Sequence, residues 1–125
     1  MYLIDTNIFL EILLTRLRTD DCKKFLEDNA GNLNLSVFSF HSIGVILFKE
    51  EKEDVFLNFL DDVLPEIDVL DLPSNRYKEI VDARQNFELD FDDAYQYCLA
   101  KHYNLKLVTL DSDFSDVQDI DVVFL

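Results

Sequence analysis

Four aspartates, Asp5, Asp93, Asp111 and Asp113, stand where a short apolar run ends or a helix-like run opens, in the segments MYLID, DFDDA and VTLDSDF. In a parallel sheet, residues just past the strand ends share one edge, so these acids could meet there. Carboxylates gathered in one place want a cation, and hard oxygen donors suit Mg²⁺ or Mn²⁺. Such a site means phosphate chemistry or a relic of it. Asp5 is the most telling of the four, because a carboxylate directly after a buried strand needs a partner and no Lys or Arg lies near it in sequence. The others have structural alternatives. Asp93 with Gln96 has the spacing of a capping box, Asp92 could itself be the N-cap, and Asp111 and Asp113 bracket Ser112 as turn residues do.

The elements that must position these acids alternate along the chain. Residues 2–4 read as a buried strand, followed by IFLEILLTRL, a helix so apolar that it must be covered on two sides, by the core and by either more of the domain or a partner. Asp20 and Asp21 could cap a second helix, DCKKFLED, and LNLSV reads as the second strand. A helix is expected from Ser39 through IGVILFK, with the charged run KEEKED at its exposed end and Phe38, Phe40 and Phe48 in the core. Phe56, Phe59, Leu60, Val63 and Leu64 form one apolar face of the next helix, halted before Pro65. IDVLDL gives a third strand, and Ser74 could cap a helix carrying Tyr77, Ile80, Val81 and Phe87 toward the core. The last helix starts near Asp92, KLVTL is the clearest strand, and VVFL closes the chain. Strands alternating with helices imply a mostly parallel sheet covered on both faces. If the first and fourth strands are neighbours, Asp5 and Asp111 meet.

Composition narrows the setting. The chain has 125 residues, 49% of them hydrophobic and eleven of them Phe, enough for one compact domain over residues 1–125. Its amino terminus lacks the pattern of a signal peptide, and no apolar run is long enough to span a membrane. Cys22 and Cys98 fit no metal or disulfide framework, which points to buried thiols in a reducing cytoplasm. Only Gly31 and Gly44 are glycines, so phosphate-loop and dinucleotide-binding readings fail. His41 and His102 have no zinc-site spacing. Eleven Lys and Arg against 26 Asp and Glu give a formal net charge of −15, which opposes general coating of nucleic acid but suits a basic protein partner.

At DTN (5–7), DDA (92–94) and TLDSDF (109–114), the sequence resembles the PIN-domain nucleases, and among them the small toxin ribonucleases of toxin–antitoxin pairs. The likeness spans essentially the whole chain: an acid with Thr and Asn behind it after strand one, a Ser after strand two, an Asp-Ala opening a helix, and a Thr-x-Asp ending strand four. It implies a three-layer α/β/α fold with a short parallel sheet of about five strands. It further implies a divalent ion on Asp5, Asp93 and Asp111, with Asp113 nearby, that hydrolyses single-stranded RNA. Thr6, Asn7, Ser42 and Thr109 would orient those carboxylates, and the protein would be a homodimer inhibited by an antitoxin.

One departure from the pattern matters. Family members usually carry a Glu about six residues after the strand-two Ser, whereas here Ser36 leads to Ser42. His41 is a nitrogen donor that Mg²⁺ does not prefer, and Glu50 lies two helical turns away. Three readings stay open: a weakened enzyme using Asp5, Asp93, Asp111 and Asp113; an enzyme recruiting Asp90 or Asp92; or an inactive domain that keeps the fold for binding.

Overall fold

The computed structural model describes residues 1–125. In chain order its elements are β1 (Tyr2–Ile4), α1 (Thr6–Leu13), α2 (Thr19–Asp28), β2 (Leu33–Ser36), α3 (Val37–Lys49), α4 (Glu53–Asp62), β3 (Asp68–Leu70), α5 (Lys78–Phe87), α6 (Phe91–Tyr103), β4 (Lys106–Thr109) and β5 (Val122–Phe124). Short 3₁₀ turns occupy Leu64–Glu66, Ser74–Arg76 and Ser112–Phe114. The five strands form one sheet in the order β3-β2-β1-β4-β5, and every pairing is parallel. β1 is central, and its neighbour on one side is β4, with Leu3 opposite Leu107 and Ile4 opposite Val108. The chain therefore leaves β1 in one direction and returns to its other side, which makes the β1–β4 boundary the point where strand order reverses.

The pleat explains the two cores. Successive side chains on a strand point to opposite faces, so Leu3 and Leu107 enter one core while Ile4 and Val108 enter the other. The first core is closed by Ile80 and Ala83 of α5 and by Ala94, Cys98 and Leu99 of α6. The second is closed by Ile8 and Phe9 of α1, Cys22 of α2, Ile43 and Leu47 of α3, and Phe59 of α4. Burying one such Leu, Ile or Phe side chain contributes about 1.5–3 kcal/mol. A parallel sheet covered by helices on both faces is the three-layer α/β/α arrangement expected from the alternating pattern.

Local chemistry sets the element ends. The Asp5 carboxylate accepts from the Thr6 amide at 2.8 Å and so caps α1, and the Ser36 hydroxyl caps α3 by accepting from the Ser39 amide at 2.9 Å. That cap starts α3 at Val37, earlier than the expected Ser39. Several other expectations need correction. Asp20 and Asp21 do not cap α2, whose N-cap is Arg18; they lie in its first turn, where negative charge suits the helix dipole. Ser74 belongs to a separate 3₁₀ turn, α5 begins only at Lys78, and Tyr77 and Val81, expected to face the core, are exposed. IDVLDL pairs with β2 only over Asp68–Leu70, because an edge strand has one partner and the ladder stops where that partner becomes a helix. Phe48, expected in the core, is 56% exposed on the outer face of α3, while Phe38 and Phe40 pack against the cores.

Candidate metal centre

Topology brings three segments to the carboxyl ends of β1 and β4. Asp5 follows β1 directly, Asp111 is the second residue after β4, and Asp93 sits in the first turn of α6, which runs back toward the start of β4. Carboxylate oxygens of Asp93, Asp111 and Asp113 lie within 4.8 Å of one another. Asp5 and Asp93 are buried, Asp111 is half-buried and Asp113 is exposed, so the group opens to solvent on the Asp113 side. None of the chain's ion pairs involves any of the four.

The surrounding side chains fix two of these acids in place. Thr109 Oγ1 donates to Asp5 Oδ2 at 2.7 Å and accepts from the Asp111 amide at 2.9 Å, which ties the end of β1 to the end of β4. Asn7 reinforces the same junction: its Nδ2 donates to Thr109 Oγ1 at 3.5 Å and its Oδ1 accepts from the Leu110 amide at 3.3 Å. Asp111 Oδ1 accepts from the Asp113 amide at 2.9 Å, so the turn role foreseen for this pair is present along with membership of the cluster. Thr6 contributes its amide to Asp5 and turns its hydroxyl toward Ser39 Oγ at 2.7 Å.

Two residues of this network were not singled out from the sequence for the site. Gln96 Nε2 donates to Ser39 Oγ at 2.5 Å and to Asp5 Oδ1 at 3.3 Å, although the spacing from Asp93 had suggested a capping box. The N-cap of α6 is Asp90, Asp92 is exposed one residue short of Asp93, and the Gln96 side chain turns inward instead of back along the helix. Ser39, not Ser42, carries the hydrogen bonds from α3 to this network; Ser42 is half-buried one turn further along. A signal did exist for Gln96. It lies in DAYQYCLA, a run buried on every side from Asp93 to Ala100, where an amide must find partners.

Electrostatics records how closely the acids approach. Burial pushes the Asp93 carboxyl up to about 7, with the charges of Asp92, Asp111, Asp5 and Asp113 adding to the effect. Asp5 is also raised, chiefly by burial, against the opposing hydrogen bonds from Thr109, Gln96 and the Thr6 amide, and the Asp111 charge raises it further. Acids that hold protons against one another, with no cationic side chain between them, form a donor set that fits a hard divalent ion. Gln96 Oε1 adds a second sign, since it is buried without any donor, and such an oxygen calls for a water or an ion nearby. A larger hollow lies elsewhere on the surface, about 680 Å³ and lined by Phe40, Val45, Phe48 and Phe56.

Comparison with known proteins bears on the family and the fold. The family model described as PIN domain matches residues 2–120. The chain belongs to the PIN domain family. PIN proteins of toxin–antitoxin systems are similar to it in fold. A toxin–antitoxin complex from Klebsiella pneumoniae superposes with a TM-score of 0.79 at 23% identity, covering 98% of this chain and 96% of that one. VapBC2 from Rickettsia felis, bound to a DNA fragment from its promoter, gives 0.80 at 20% identity over 97% and 96% of the two chains. VapC20 from Mycobacterium tuberculosis, a toxin that cleaves the sarcin–ricin loop, gives 0.82 at 12% identity over 98% and 99%. No curated protein matches the chain in sequence. The five-stranded parallel sheet with its six helices is the PIN-like fold, and no helix is long and apolar enough to cross a membrane.

Proposed function

We propose that this PIN domain is a metal-dependent endoribonuclease of the toxin type, hydrolysing phosphodiester bonds in single-stranded RNA. The observation that carries the reading is the meeting of Asp93, Asp111 and Asp113 within 4.8 Å, beside buried Asp5, at the strand-order reversal. Asp5, Asp93 and Asp111 would hold Mg²⁺ or Mn²⁺, with Asp113 on the solvent side. A bound ion would polarise the scissile phosphate and lower the pKa of a coordinated water. The chain's own residues do the rest. Thr109 and Asn7 hold the β1 and β4 ends in register, Gln96 and the Thr6 amide orient the Asp5 carboxylate, and Asp93 gives up its proton as the cation binds.

A second reading rests on Ser42. This hydroxyl stands where the family pattern carries a Glu, so the site is one acid short, and an inactive domain retained for binding fits that deficit. Asp90 is no substitute, since its side chain is exposed and paired with Arg84 at 3.3 Å. Asp92 is exposed and not among the clustered acids.

For partners, we propose a basic antitoxin and a homodimer. An apolar hollow of about 320 Å³ between α1, α2 and α4 is lined by Phe9, Leu13, Leu26 and Val63 and edged by Glu27, Asp62 and Glu66, chemistry that fits an amphipathic basic segment. Val45 and Phe48 expose a second apolar patch on α3, which self-association would cover. The setting proposed is cytoplasmic, with residues 1–125 as a single domain.

Cleavage of a labelled single-stranded RNA by the purified protein, with Mg²⁺, with Mn²⁺ and with chelator, tests the reading. Metal-dependent cleavage that Asp111→Asn abolishes is expected. Absence of cleavage in both metals, with the protein folded, would establish the binding module instead.

A further inference from the structure

The sheet edge that carries the acids continues, on the side of β2 and β3, into aromatic rings that the core leaves partly uncovered. Phe91 opens α6 two residues before Asp93 and is 56% exposed. A lone exposed Phe would mean little. This ring, however, is held from behind by Phe38, with centroids 6.0 Å apart, and by Tyr95, at 6.5 Å and an interplanar angle of 31°. Phe38 and Tyr95 also contact one another at 5.6 Å. Tyr95 is anchored at its far end, where its hydroxyl donates to Asp71 Oδ1 and accepts from the Leu72 amide, both at 3.0 Å. The ring of Phe91 is therefore braced by Phe38 of α3 and by Tyr95 of its own helix, which is itself tied to the segment after β3.

Beside it lies a hollow of about 330 Å³ lined by Phe91, Tyr77, Val81, Arg84 and Asp90. That volume admits a planar heterocycle. The Arg84 guanidinium is largely exposed and spends one nitrogen on Leu89 O and Asp90, leaving further donors at the mouth.

Charge decides what such a surface is for. Most proteins hold nucleic acid through Lys and Arg on its phosphates, but a net charge of −15 opposes that contribution here. Base stacking is indifferent to net charge, because every base has a π-face. Resting on the ribonuclease reading above, we infer that Phe91, braced by Phe38 and Tyr95, is the stacking platform for a nucleobase adjoining the phosphate at the acid cluster. The strand would run along the sheet edge, with its phosphate at Asp93 and Asp111 and the neighbouring base on Phe91. The platform is a positioning site, since it touches substrate away from the reacting atoms. Stacking on one ring tolerates any base, so it contributes affinity and register more than sequence preference.

The chain has no tryptophan, which makes Phe91→Trp a single-site reporter. Its fluorescence is to be titrated with a short oligoadenylate in Mg²⁺ and, separately, with an abasic oligonucleotide of the same length and charge. Quenching by the first and not the second is expected; equal response to both, or none to either, overturns the platform. Phe91→Leu keeps an apolar side chain and removes the π-face. In cleavage assays it is expected to raise KM roughly 5- to 100-fold with kcat little changed, the range that stacking on one ring supplies. An unchanged KM at an unchanged melting temperature refutes the inference, as does a variant altered only in self-association, which would assign the ring to a protein contact. Failure of the parent protein to cleave any RNA would remove the ribonuclease reading on its own, while the tryptophan titration would still decide the platform.

Discussion

At the level of single residues, Asp93 has the environment most at odds with its charge. Its carboxyl is raised from 3.8 to about 7, so in the metal-free protein the folded state holds a proton that the unfolded chain releases. Stability from this group is therefore fully present below pH ~4 and is lost as pH rises through about 7. Each tenfold change in proton affinity is worth ~1.4 kcal/mol, and solvent screening on the open side of the cluster reduces the loss by pH 8 to on the order of 2 kcal/mol. Asp93→Asn should remove it: the variant should melt above the parent protein at pH 8 in chelator and close to it at pH 4, while cleaving no RNA. Identical pH profiles for the two proteins would mean that the neighbouring acids do not reach Asp93. Adding Mg²⁺ or Mn²⁺ should raise the melting temperature of the parent at pH 8 and less at pH 5.5, because protons compete with the ion for the same oxygens; thermal melts across metal concentration check this. Gln96 illustrates what spacing misses at this scale. Three residues after Asp93 is the separation of a capping box and equally of two neighbours on the inner face of a buried helix, and the side chain serves the second arrangement.

Secondary-structure elements differ in how plainly their sequences mark them, for physical reasons. β1 and β4 lie towards the centre of the sheet, where both faces are covered, and their adjacent apolar residues, Leu3–Ile4 and Leu107–Val108, marked them. β3 lies at an edge, where Asp68 and Val69 are exposed and Leu70 half-buried, and its composition does not differ from that of the residues that follow. Helix starts depended on caps: the Ser36 hydroxyl bonding back to Ser39 fixes the beginning of α3, whereas α2 and α5 have no side-chain cap for a sequence to advertise. The turn after α1 carries its own liability. Thr15 is β-branched and exposed, yet holds φ of 51°, a left-handed conformation that such residues resist. Thr15→Gly should stabilise the protein by about 1 kcal/mol, since it removes that strain without removing a packed side chain. Urea unfolding would measure the gain, and an equal or lower midpoint would place the strain elsewhere.

For the molecule as a whole, charge is the dominant unbalanced quantity. With 26 acids against 11 Lys and Arg, and ion pairs confined to exposed positions, the folded chain repels itself. Raising NaCl from about 0.05 to about 0.5 M should screen that repulsion and add about 1 kcal/mol, equivalent to roughly 3–6 °C in melting temperature. A fall in melting temperature would show that specific pairs outweigh the net field. The same imbalance gives the protein a use for divalent cations, for basic partners and for uncharged base contacts.

Much of this protein is written locally. The alternation of apolar runs, the strand-ending acids and the DTN, DDA and TLDSDF segments were enough to indicate the PIN fold and to nominate Asp5, Asp93, Asp111 and Asp113, because each of these signals is carried by residues adjacent in the chain. What locality does not carry is which strand lies beside which and where a helix points its polar side chains. Pairing β1 with β4 across more than one hundred residues brings Asp5 to Thr109, and packing α6 against α3 turns Gln96 onto Ser39 and braces Phe91 with Phe38. Those contacts form only when two hydrophobic layers close on the sheet, so tertiary packing alone decided them.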